Sequence, residues 1–529
     1  METELKNQGI MPTVTPSWPE FTSSAANGVY MLTMNYAVSG TLNLNANVTI
    51  IFAGGIFTGT GTINGNNTTF VAPPIQVFDA NISFSGTWKM EKVFAENFGD
   101  TNGANAAPAI NKALAFSNIS GCIVQLLGKT YNVTGSINIL GGTTLQGTIA
   151  GPSLTSDSSV SKEGTVIYTA SDINVLSIIT TGNESTSDVD CYRFAIKDLT
   201  IRHAGSGTTE TIGNSIFIDA PNTLPPRKGL ISNIILKHNT TNGYGIRVSG
   251  GSYIEFHNIH VRGGKGVKVT GNKLQEFLWF NKVEIDSVNK TSFEITHGNN
   301  IYLTEIDTND SKIGLMINNE TGETFNVFVN RFNSARCTYG ILIRTVTNYI
   351  TRIKISEATI IQQIVPCKPT PVAGLCLERG SGSTYTIGSC IFENFSIDAV
   401  SLSNTAYRAI KDTNLNSVTG SKFTNIRTYD KIDLQTNASP NNQLTIINMQ
   451  KGGVYKYGPT GNTYTQVLYS ANSPLPGKPV VLVNTNQTIP FSVVTTNEPG
   501  GVCDFTVTFA SAPTSNIEIY FTLTGFFYT

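Results

Sequence analysis

Four carboxylates stand in two short stretches of the 529-residue chain, Glu284 with Asp286 and Glu305 with Asp307. Each pair sits in a segment that alternates apolar and polar, Val283-Glu284-Ile285-Asp286 and Glu305-Ile306-Asp307-Thr308. At period two, both acids of a pair leave the same face of a strand. If the two strands are neighbours, diagonal partners such as Asp286 and Asp307 have backbones roughly 8 Å apart, from a rise near 3.3 Å and a spacing near 4.8 Å. That permits carboxyl separations of about 5–9.5 Å, the range used to hydrolyse a glycosidic bond with two carboxylates. Like charges this close raise one another's pKa, which would keep one group a general acid while the other stays a base. We take Glu284, Asp286, Glu305 and Asp307 as candidate catalytic residues. His260 and Arg262 precede them, Trp279 and Tyr302 open the acidic segments, and Arg331 follows; these five are candidate substrate-binding residues. Lys282 and Arg331 can equally neutralise the acids as ordinary surface charges. No spaced loop of the EF-hand kind accompanies the cluster, so neither a metal nor a cofactor is expected.

These residues can meet only if the chain brings distant segments into register, and a repeat supplies the means. The phrase Gly266-Val267-Lys268-Val269 has relatives at Ile246, Phe293, Leu315, Ile341, Leu375 and Val400, separated by steps of 21, 26, 22, 26, 34 and 25 residues. A second alternating phrase precedes each, as in His257-Asn258-Ile259-His260-Val261-Arg262 and Asn281-Lys282-Val283-Glu284-Ile285-Asp286. Short strands at this period with no helical segment between them exclude helical and leucine-rich repeats and imply a parallel β-helix, right-handed by the crossover rule. Aligning the second phrase on its inward residue gives an outward column of Thr200, Ile235, His260, Glu284, Asp307, Asn333, Thr359, Ser396 and Arg427. The next column reads Arg202, Lys237, Arg262, Asp286, Asn309, Ala335, Ile361, Asp398 and Tyr429.

Composition agrees with an all-β chain. Only 13% of residues are charged and the net charge is −1, so nothing calls for nucleic acid or an anionic membrane. A neutral face rich in amides and hydroxyls suits a carbohydrate. The seven cysteines show no paired spacing and are expected as buried free thiols. No run approaches a membrane span, and the first residues carry no apolar leader, so folding without a classical export signal is expected.

In chain order, residues 1–27 read as a polar attachment segment and 28–96 as a small β domain. Residues 97–439 read as the β-helix, with a capping helix at about 106–117, and 440–529 as an antiparallel β-sandwich with longer strands. The segment Asn97-Phe98-Gly99-Asp100, the helix around Ala109-Ile110-Asn111-Lys112-Ala113, then Gly128-Lys129-Thr130-Tyr131-Asn132-Val133 and Leu145-Gln146-Gly147 carry a resemblance. Together they resemble the opening of the pectin-lyase-like right-handed β-helix superfamily, and within it the tailspike and depolymerase proteins of bacterial viruses. The Gly-Asp-Gly of that pattern is replaced here by Gly99-Asp100-Thr101-Asn102-Gly103.

The resemblance implies a homotrimeric virion protein of the phage tail, assembled in the host cytoplasm and acting at the host cell surface. Its partners would be a host surface polysaccharide, further copies of itself and, through the N-terminal segment, other tail proteins. It would act as a depolymerase, by endo-hydrolysis or lyase chemistry, or as a non-catalytic adhesive component. A bacterial polysaccharide-degrading enzyme on the same scaffold would need an export signal.

Overall fold

A computed structural model describes residues 26–148, 164–180, 192–205, 209–221, 224–240, 242–271, 275–286, 290–320, 322–363, 371–380, 383, 385–400, 407–412, 418–419, 421–428, 432–433, 445–447, 450–451, 463–470, 480–485, 490–497, 502–511, 519–524 and 526–527. Most of the attachment segment, Tyr429 and the Pro-rich stretch before Pro371 lie outside them. The chain forms two compact units, Met1–Gly243 and Tyr244–Thr529.

The first unit begins with a narrow coil of parallel strands. Val29 pairs with Thr49 and Thr49 with Thr69, so one turn takes 20 residues. Its interior is aromatic: Phe52, Phe57, Phe70, Phe78 and Phe84 meet at ring centroids of 4.9–5.9 Å. An α-helix, Ala107–Ser120, closes this interior. Pro108 suits its first turn, where an N–H has no helical acceptor to lose. Gly121 caps it in a left-handed conformation, φ 71°, after a last helical residue, Ser120, three beyond the expected stop. Ile110, Ala113, Leu114 and Ser117 are buried as their helical spacing predicts, and Phe116 reaches Phe70, Phe84, Trp88 and Phe98.

The segment around Phe98 ties these pieces together. Asn97 donates to the carbonyls of Pro73 and Ile75 at 2.7 and 3.0 Å. Buried Glu96 accepts from the Tyr131 hydroxyl at 2.6 Å and pairs with Lys129 at 3.0 Å. A wider coil follows, in which Leu145 stacks on Ile196 and Ile196 on Ile231.

The second unit is a right-handed parallel β-helix of the expected kind. Each rung has a long strand, such as Gln275–Asp286 and Gly298–Asn309, and a short one, such as Thr291–Ile295 and Ile313–Asn318. Inward residues stack rung on rung: Phe256 on Phe280 on Leu303, Val283 on Ile306 on Phe332, and Val267 on Phe293 on Leu315. Phe256 and Phe280 stack nearly parallel with centroids 4.3 Å apart.

The long strands are not straight. Each of the five from Gly251–Arg262 to Ile350–Gln363 passes through two left-handed residues, and these too form columns: Tyr253, Phe277, Asn300, Asn326 and Arg352, then Asn258, Lys282, Glu305, Arg331 and Glu357, all at φ 53–58°. The left-handed residue turns the chain, so one long strand supplies two outer faces meeting at an edge.

One short strand falls elsewhere than expected. Leu375 pairs with Ile410, and Ala399-Val400 instead finish the long strand Ile391–Val400. Period two alone does not distinguish the end of a long strand from a new short one. The chain closes with an antiparallel sandwich, Thr463–Ser470 and Phe491–Asn497 flanking Val502–Phe509, and Val480–Thr485 pairing with Ile519–Thr524. Phe526–Phe527 pairs with Thr445–Ile447. Cys122, Cys337, Cys376 and Cys390 are buried free thiols, and burial pushes the Cys390 thiol up to about 12. Among the described residues no helix is long and apolar enough to cross a membrane.

The corner column yields a test. A β-branched side chain is strained at positive φ, whereas Asn tolerates it, so Lys282→Val should destabilise by about 1–2 kcal/mol. Thermal unfolding should show a lower midpoint for Lys282→Val and none of that loss for Lys282→Asn.

Candidate functional site

The ladder places the candidate residues as the repeat alignment does. His260 pairs with Glu284, Glu284 with Asp307, and Asp307 with Asn333; Arg262 pairs with Asp286, and Asp286 with Asn309. All these positions follow the second corner of their strands. The inward neighbours Val283, Ile285 and Ile306 are each no more than 1% exposed, which fixes the acids outward.

Three of the candidates form one tight group. One ligand atom each from His260, Glu284 and Asp286 lies within 4.8 Å of the others. His260 Nε2 is 3.6 Å from Asp286 Oδ2, an ion-pair distance longer than a hydrogen bond. Asp286 departs from the expectation that neighbouring acids raise its pKa. The adjacent His260 imidazole holds its carboxyl below the usual range, Asn309 and the charge of Arg262 act in the same sense, and burial opposes them. Asp286 is therefore suited to stay ionised, as a base or ligand and not as a general acid. Asp307 lies directly under Glu284 and accepts a hydrogen bond of 2.7 Å from Asn333 Nδ2.

Glu305 is not on the face of the other acids. It occupies a corner, φ 56°, and its carboxylate pairs with Arg331 at 2.7 Å. Arg331 is the next residue of the same corner column, so two of the expected site residues neutralise each other along the edge. The period-two reading missed this because a left-handed residue turns its side chain away from the face that follows.

Trp279 and Tyr302 lie across that edge from the acids. They pair in register with centroids 5.8 Å apart and planes 10° from parallel. Phe328 continues the stack at 5.1 Å and 12°. Phe277 and Tyr253 flank it from the first corner column, stacked on each other at 4.8 Å. Centroid separations this long mark offset stacks, in which neighbouring rings cover only part of each face. Phe328 was legible in the sequence, since Val327 and Val329 on either side fix it outward. Phe277 and Tyr253 were not, because bulky residues at positive φ are uncommon. Asn281, Thr304 and Asn330 run beside the stripe on the same face.

Neither a family model nor a curated protein matches the chain. Among solved structures, it is similar to a double mutant of the tailspike protein of Escherichia coli bacteriophage HK620. The two are 10% identical over 82% of this chain and 93% of that one, with a TM-score of 0.44. It is also similar to the tailspike gp49 of Acinetobacter baumannii bacteriophage Fri1, a capsular polysaccharide depolymerase, at 10% identity, 82% and 86% coverage and a TM-score of 0.32. A hyperthermoactive exopolygalacturonase from Thermotoga maritima resembles it at 12% identity, 68% and 91% coverage and a TM-score of 0.34. The fold assignment rests on the strand register of the chain itself.

The lowered pKa of Asp286 has a checkable sign. A carboxyl depressed in the folded state contributes stability that is present above the unfolded value of about 4 and lost as pH falls through the folded value. In buffer containing EDTA, the difference in thermal midpoint between wild type and Asp286→Asn should be present at about pH 5 and shrink below about pH 4.

Proposed function

We propose that the chain is a tailspike-type receptor-binding protein of a bacterial virus, holding a host surface polysaccharide along the stripe of Trp279, Tyr302 and Phe328. The observation that carries this reading is the stripe itself: three rings in register on an outer face, one per rung, with Phe328 36% exposed. Offset rings offer apolar surface to the C–H face of a sugar, while the Tyr302 hydroxyl and the row of Asn281, Thr304 and Asn330 offer hydrogen bonds to its rim. In this reading Arg262 and the Glu305–Arg331 pair form the polar border of the bound chain.

In the same proposal, residues 1–27 attach to other tail proteins and 28–96 form a neck. Residues 97–439 carry the binding surface, and 440–529 hold three copies together. The protein is assembled in the host cytoplasm and acts from the virion at the host surface. Light scattering of the purified chain should give the mass of three chains; a monomer removes the trimer.

A second reading adds cleavage, favoured by the position of Glu284, Asp286 and Asp307 one edge away from the stripe. A chain bound along the rings passes within reach of that edge, and Asp286 is held in the ionised form a base requires.

One experiment separates the readings. A panel of bacterial capsular and lipopolysaccharide glycans is screened for binding, and each ligand found is incubated with the protein and assayed for released oligosaccharide. Trp279→Ala and Tyr302→Ala should each weaken binding by about tenfold or more, equivalent to about 1.4 kcal/mol. Full affinity in both variants sinks the stripe. Released fragments that disappear in Glu284→Gln, Asp286→Asn or Asp307→Asn support cleavage; binding without release leaves an adhesive protein.

A further inference from the structure

His260 has a property that glycan binding does not require. Its side chain is only 13% exposed, and both ring nitrogens are enclosed with no hydrogen bond of ordinary length, the Asp286 carboxylate standing 3.6 Å from Nε2. Buried polar atoms normally find such a bond, so this imidazole has a lone pair to offer a ligand. Its nearest polar company is two carboxylates, Glu284 and Asp286, each with an oxygen in the same 4.8 Å group.

We propose that His260, Glu284 and Asp286 bind one divalent transition-metal ion of the zinc and manganese class. The donor set is one imidazole nitrogen and two carboxylate oxygens, which such ions accept. Ligand distances of about 2.1 Å around a tetrahedral ion set neighbouring donors about 3.4 Å apart. The observed 3.6 Å between His260 Nε2 and Asp286 Oδ2 is too long for a hydrogen bond and close to that separation. A Glu284 oxygen in the same 4.8 Å group would be the third ligand, and water can fill the remaining positions.

The β-helix holds these ligands in place. His260 and Glu284 are opposite one another on adjacent rungs, and Asp286 is two residues further along the Glu284 strand. Three ligands from two hydrogen-bonded strands have little freedom to drift apart. Asp307 and Asn309 bring further oxygens on the next rung. Arg262 and Arg336 are the cations that act on Asp286. Arg336 is itself held by Asp310 through hydrogen bonds of 2.6 and 3.3 Å, so the acids are not fully neutralised. The site does not depend on the glycan reading, and its test needs no sugar.

The full chain, stripped with EDTA and dialysed, is titrated by calorimetry with zinc, manganese and calcium chlorides, and separately with cobalt chloride while visible absorption is recorded. The expected result is one zinc or manganese ion per chain and a cobalt d–d band in the wild type. Binding should weaken by at least about tenfold in His260→Ala and in Glu284→Gln. His257→Ala, an exposed histidine on the neighbouring face, should bind as wild type does. Circular dichroism checks each fold, and His260→Gln replaces His260→Ala if the latter unfolds. No binding, a preference for calcium, or unchanged affinity in a folded His260 variant overturns the proposal.

Discussion

The structure depends on a backbone constraint: at two points in each of five successive long strands, one residue adopts a left-handed conformation. Non-glycine residues there cost of order 1–3 kcal/mol each, and they persist because the surrounding ladder determines them. Lys282, Glu305 and Arg331 occupy one such line in successive rungs, and their common φ keeps the rungs congruent. Congruent rungs are what let Val283, Ile306 and Phe332 stack inside. The same line divides the outside into a face of rings and a face of acids. The bend, and not the acids, sets what can approach what.

Much of this was legible from the letters. An inward Val283 and Ile285 force Glu284 and Asp286 outward, and aligning repeated phrases was enough to set His260, Glu284, Asp307 and Asn333 in one column. Parity and register are both consequences of apolar burial, which sequence displays directly. The helix was plain at its start, which Pro108 marks, while it runs past the expected end to Gly121.

What stayed hidden was the corner. Its trace is a doublet of polar residues between apolar ones, as in Phe280-Asn281-Lys282-Val283 and Leu303-Thr304-Glu305-Ile306, where strict alternation slips by one. Because residues as different as Asn258, Lys282, Glu305 and Arg331 fill the position, no residue type announces it. The slip put Glu305 on the wrong face and made the aromatic and acidic residues look like neighbours on a single surface. The lowered pKa of Asp286 was hidden for a related reason: sequence shows the two acids, while the influence that wins comes from a histidine on the preceding rung.

The alternation of inward and outward residues has a consequence for how such a protein can change. Glu284 and Asp286 contact mainly the outward residues of the rungs above and below, while Val283 and Ile285 carry the packing. The two sets of positions answer to different selective pressures within one strand. Surface chemistry can therefore be rewritten a rung at a time, with the interior left as it was. A lineage facing a changing partner can alter recognition by point substitution, without inventing a new scaffold.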